Sequence, residues 1–110
     1  MNVFESIIGY EFRNKKLLQT ALTHSSYANE NGGRYEYNER LEFLGDSVLG
    51  MITAEFLFQN HPEMPEGKLT KIRASLVCEK SLFRFASSIH LGEFMYMGKG
   101  EINTGGRTRP

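Results

Sequence analysis

An all-α fold is what this chain predicts, on three observations. Apolar residues recur at helical spacing through most of its length, helix start and stop signals bracket those stretches, and no segment alternates as a half-buried strand does. Asn14 can cap a helix running to about Thr23, with Leu17, Leu18, Ala21 and Leu22 on its apolar side. The Gly- and Asn-rich run Asn29 to Arg34 reads as a polar turn. Asn38 is the expected N-cap of a long helix reaching about Gln59, which stops before His61-Pro62 because the residue preceding a proline avoids the α region. After the connection "HPEMPEG", Leu69, Ile72 and Leu76, then Leu82, Phe83, Ala86 and Ile89, predict two helices broken near Cys78, with Gly92 as the C-terminal stop. The run "EFMYM" can be extended but has no evident partner.

Composition bounds the function. At 110 residues with 40% hydrophobic and 24% charged side chains, the chain is one small globular domain, burying about 60–65% of its unfolded surface and so inclined to associate. No apolar run approaches the ~20 residues of a membrane span, and the N-terminus lacks the order of a secretory signal, so a cytoplasmic location is expected. The single cysteine, Cys78, cannot form an internal disulfide and is expected as a small buried residue.

A net charge of zero argues against a strongly basic nucleic-acid module, but the charge is segregated. Residues 36–66 carry seven acidic and one basic side chain, whereas residues 67–110 carry eight basic and three acidic. That split suits an enzyme with cation-binding carboxylates beside phosphate-binding Lys and Arg. Lys68, Lys71, Arg73, Lys80, Arg84 and Arg107 are the candidate phosphate contacts.

The segment "NERLEFLGDSVLG", Asn38 to Gly50, sets Glu39, Glu42 and Asp46 at i, i+3 and i+7 on one helical stripe, with Leu41, Leu44, Val48, Leu49 and Ile52 expected on the core side. Like charges at i,i+4 repel by about 0.2–0.5 kcal/mol, a sign that a divalent cation reverses. Mg²⁺ takes such hard oxygen ligands. Gly45 and Gly50 each cost the helix about 1 kcal/mol relative to alanine, which close approach of a backbone or substrate would justify. Spacing alone leaves open the commoner case of an amphipathic helix's wet face. His24, Ser25 and Ser26 fall at an expected helix end and lack a nucleophile elbow, so they read as capping or packing residues, and the isolated His61 and His90 read as structural.

Read in order, "NERLEFLGDSVLG" closely resembles the signature of the ribonuclease III family of double-strand-specific endoribonucleases. "LLQTALTHSSYANE" upstream, and "MPEGKLTKIRASLVCEKSL" and "LGEFMYMGKGEINTGGRTR" downstream, are similar to that family's endonuclease domain in the same order, so the likeness covers nearly all of residues 1–110. The resemblance implies a helical endonuclease-domain fold and Mg²⁺-dependent hydrolysis of double-stranded RNA in RNA processing, with Mn²⁺ able to substitute. It implies that Glu42 and Asp46 bind the metal and are catalytic, and that Glu39 and Glu66 are accessory acids nearer the rim. It further implies that Phe43 inserts into the partner of a homodimer whose valley holds the duplex. In the family, a further helix brings an aspartate and a glutamate to the metal and a double-stranded-RNA-binding domain follows. Neither lies before Pro110, so the reading is of an endonuclease domain short of its last helices, its activity as a fragment open. The alternative is a non-cleaving RNA-binding or dimeric scaffold module with the same fold.

Overall fold

A computed structural model describes residues 1–106. The helices in it are α1 (Val3–Ile8), α2 (Lys15–Ala21), α3 (Ser25–Glu30), α4 (Glu39–Asn60), α5 (Glu66–Leu76), α6 (Glu79–Ser88), α7 (Leu91–Phe94) and α8 (Lys99–Asn103). The all-α expectation holds. The pairing of Thr23 with Tyr96 is an isolated parallel bridge, and it supplies the partner that "EFMYM" lacked.

Local chemistry explains the element ends. Asn2 and Glu5 form a reciprocal capping box on α1, a helix the spacing did not signal, and Gly9 closes it in the left-handed conformation at φ 71°. The Asn14 side chain accepts the Leu17 N–H, as expected of a cap. Asn38 stands at the N-cap position of α4 without a side-chain capping bond. Instead its Nδ2 donates to the Ala21 carbonyl and its backbone N–H to the Thr23 carbonyl, which hitches the start of α4 to the end of α2. Two further expectations are corrected. Helix α6 already ends at Ser88, and Gly92 lies inside α7, because His90 adopts the left-handed conformation and turns the chain first. Cys78 is exposed, since the break between α5 and α6 places it at the N-cap of α6 with its thiol donating to the Ser75 carbonyl.

The core lies at one end. Phe4, Leu18 and Leu22 are buried together, with Ile8, Phe12, Ile89, Leu91, Phe94 and Met95 packed around them. Helix α4 extends away from this cluster and packs chiefly on α5, so Leu57 is its one buried residue among those described. The expected core stripe is therefore corrected: Leu41 and Leu49 are half-buried, but Leu44, Val48 and Ile52 are exposed, because no described element lies over that side of α4. The radius of gyration, 16.2 Å, exceeds the ~13 Å of a compact chain of this size, as an uncovered helix would make it.

Candidate metal and RNA site

Helix α4 presents the acids. Glu39 and Glu42 occupy its first turn, where the helix dipole favours negative charge, and Asp46 follows one turn after Glu42. All three carboxylates are exposed and line a single groove of about 1510 Å³. None of them accepts a hydrogen bond or forms an ion pair among the described residues. Two free carboxylates one turn apart, open to solvent, are a donor set that fits a hard divalent cation with water completing its shell. Among the described residues no third His, Cys, Asp or Glu joins them in a group that could hold a metal.

The rest of the groove comes from distant parts of the chain. Leu82, Phe83 and Ala86 of α6, Leu91 and Glu93 of α7, then Met97, Glu101 and Gly106 form its other sides, with His24 at the start of α3. Phe43 also borders it and is 81% exposed, so its ring is not a core residue of this chain. A Cβ on Gly45 or Gly50 would meet nothing within 4 Å, so packing among the described residues does not account for either glycine. Gly45 lies in the groove lining, open to whatever enters it.

The structure does not bring Glu66 to the other acids. It opens α5 and borders a second, smaller groove between α4 and α5, together with Met51, Glu55, Phe58 and Arg73. Lys68, Lys71 and Arg73 are exposed on α5, Lys80 and Arg84 on α6, and Arg107 lies outside the described residues.

His24 and Ser26 perform the expected structural work. The imidazole Nδ1 accepts the Ser26 N–H and caps α3, and the Ser26 hydroxyl lies 2.7 Å from the same nitrogen. That hydroxyl also accepts the Gly98 N–H at 2.9 Å. Glu30, which sequence reasoning did not single out, accepts the Lys99 N–H at 2.9 Å and the Gly100 N–H at 3.3 Å. Contacts between residues so far apart in the chain leave no local pattern by which either group could have been found.

Comparison with known proteins agrees with this architecture. A family model described as Ribonuclease-III-like matches residues 14–110. The chain is 59% identical over 104 residues to a Ribonuclease 3 of Geobacillus kaustophilus, covering 94% of this chain and 42% of that protein. It is 54% identical over 109 residues to a Ribonuclease 3 of Bacillus cereus, covering 98% and 44%. It thus spans less than half the length of these curated relatives. A solved structure of the ribonuclease III nuclease domain of Campylobacter jejuni, described as flexible in a region involved in its dimer formation, superposes with a TM-score of 0.86 at 46% identity, over 97% of this chain and 71% of that one.

Proposed function

This chain belongs to the ribonuclease III family, and from that premise we propose that residues 1–110 are endonuclease-domain sequence of a Mg²⁺-dependent enzyme hydrolysing double-stranded RNA as a cytoplasmic homodimer. The observation that carries the reading is the pair Glu42 and Asp46, exposed and unengaged on successive turns of α4 in one groove. When bound, Mg²⁺ supplies a Lewis acid that lowers the pKa of a coordinated water and stabilises charge at the scissile phosphate, with Mn²⁺ a substitute. The two carboxylates hold it, and Glu39 adds negative field from the preceding turn. No side-chain nucleophile is needed. Glu66, set in the second groove with Arg73, acts away from this pair as an accessory acid.

Lys68, Lys71 and Arg73 supply positive charge on the neighbouring α5, and Arg107 adds to it in sequence, suited to an A-form duplex read through phosphates and 2′-hydroxyls rather than base identity. The homodimer reading is supported by the exposed apolar stripe of Leu44, Val48, Met51, Ile52 and Phe56, with Phe43 beside it, an area that monomers rarely leave open. None of the described helices is long and apolar enough to cross a membrane.

The test is cleavage of labelled duplex RNA with Mg²⁺ by this chain and by a form extended through the family's next helix, each beside Asp46→Asn. Cleavage that Asp46→Asn reduces on the order of 10²–10³-fold, the scale of losing one preorganised electrostatic group, is the expected result. Duplex binding without cleavage in both forms would overturn the enzyme reading in favour of a scaffold.

A further inference from the structure

The wall of the carboxylate groove opposite α4 is not held by packing alone. Residues 96–100 are tied to residues 22–30 by a series of directed hydrogen bonds. Tyr96 donates its N–H to the Leu22 carbonyl at 2.8 Å and accepts the His24 N–H at 2.9 Å. Two residues on, the Gly98 N–H reaches the Ser26 hydroxyl. Then both oxygens of Glu30 take the first two free N–H groups of α8. Ser26 and Glu30 are four apart on α3, so they form one face with two grips. Gly98 is buried in that grip, and a Cβ there would overlap the Glu30 carboxylate and crowd the Ser26 carbonyl. The same segment delivers Met97, and Glu101 just after it, to the groove that Glu42 and Asp46 line.

We propose that Glu30 and Ser26 are positioning residues, which lock residues 96–101 against α3 and so set the width of the groove over the two acids. The proposal rests on the nuclease reading for its catalytic consequence, though not for the anchoring itself. A carboxylate is the right group for the task. It satisfies two adjacent backbone donors at once, where an amide offers one oxygen, and its charge complements the start of α8. The Ser26 hydroxyl accepts from Gly98 and also hydrogen-bonds His24 Nδ1 at 2.7 Å, so two partners fix its orientation.

The test combines amide hydrogen exchange with steady-state cleavage in Glu30→Ala, Glu30→Gln, Gly98→Ala and the Glu30→Ala/Gly98→Ala double variant, in whichever of the two forms above cleaves. The expected result for Glu30→Ala is exchange about ten-fold faster at Lys99 and Gly100. Exchange at Leu18 and Leu22 stays unchanged, kcat falls about ten-fold and KM for the duplex stays within about two-fold. Glu30→Gln, keeping one acceptor, recovers part of both. Gly98→Ala reproduces the loss, and the double variant loses no more than Gly98→Ala alone, since that change already opens the Glu30 grip. Unchanged exchange at Lys99 and Gly100 overturns the anchoring. Faster exchange with unaltered kcat, or a uniform loss of protection that includes the core, overturns the positioning role. If neither wild-type form cleaves, the nuclease reading and the catalytic part of the proposal fall together, while the exchange pattern still decides the anchoring.

Discussion

The Lys15 ammonium lies 2.8 Å from the Glu5 carboxylate, an acid only 1% exposed. Glu5 also accepts the backbone N–H groups of Asn2 and Phe12, the latter at 2.6 Å, so one side chain joins α1, the following loop and α2 beside the Phe4 core. The Asn2 amide, then Lys15 and the Phe12 amide, hold its carboxyl at about 2, well below the ordinary value.

Acid should therefore loosen this end of the molecule. A carboxyl lowered in the folded state contributes stability that is present above its unfolded value near 4.5 and lost as pH falls through about 2. Urea midpoints measured from pH 6 to pH 2 should fall across that window in the wild type. In Glu5→Gln they should start lower and fall less, because that group no longer titrates. Parallel curves would refute the assignment.

Self-association should depend on Phe43. Truncating an aromatic that is 81% exposed in the single chain costs the fold little, whereas at an interface it removes an anchor worth about 2 kcal/mol. Sedimentation of Phe43→Ala should show a dimer weakened by about thirty-fold, with an unchanged melting temperature at concentrations where both proteins are monomeric. A large drop in melting temperature would instead make Phe43 a folding residue.

Duplex binding should weaken as salt rises, and α5 should account for part of the slope. Replacing Lys68 and Lys71 by Gln should reduce the logarithmic salt slope by about one unit for each phosphate no longer neutralised, irrespective of RNA sequence. Unchanged slopes from fluorescence anisotropy would make these lysines solubilising charge.

His90 sits at φ 56°, a left-handed conformation that costs a non-glycine residue about 1–2 kcal/mol. Glycine relieves the strain but has more unfolded freedom to lose, so His90→Gly should stabilise by about 0.5–1 kcal/mol and raise the melting temperature by a few degrees. A loss of stability on calorimetry would mean that the imidazole makes a compensating contact.

Cys78 should label readily. Its thiol is exposed, and hydrogen bonding to Ser81 lowers its pKa from the ordinary value. Iodoacetamide at neutral pH should modify it faster than a free cysteine, and Ser81→Ala should slow the reaction. Equal rates in the two proteins would exclude the Ser81 contact as the cause.

What was legible in the sequence was what is local. The Asn14 cap, the span of α4 and the break beside Cys78 follow from signals within a few residues, and they came out as expected. Glu39, Glu42 and Asp46 share a groove because helical spacing alone puts them on one side of α4. What failed was long-range. Periodicity marks Leu44, Val48 and Ile52 as apolar without saying what covers them, and within this chain no described element does. The same limit hid the pairing of Thr23 with Tyr96 and the reach of Glu30 to α8. The place of Glu66 was hidden for a related reason: its neighbours in sequence fix the start of α5, but only the packing of α5 on α4 decides which groove it borders.

The two bonds that Asn38 makes to Ala21 and Thr23 carry a consequence for how this scaffold tolerates variation in length. They pin the first turn of α4 to the end of α2, so the rotational phase of the acids is inherited from α2 and not from the chain between. The glycine-turned stretch from Gly32 to Glu36 is tied instead to α3, through the Gly33 N–H on the Ala28 carbonyl and the Tyr35 ring against Tyr27, so it does not set that phase. Lengthening the chain between Tyr35 and Asn38, past those contacts, adds the slow logarithm of loop closure, about 0.6 kcal/mol per doubling. Residues inserted there would leave the aim of Glu39, Glu42 and Asp46 to the two Asn38 bonds.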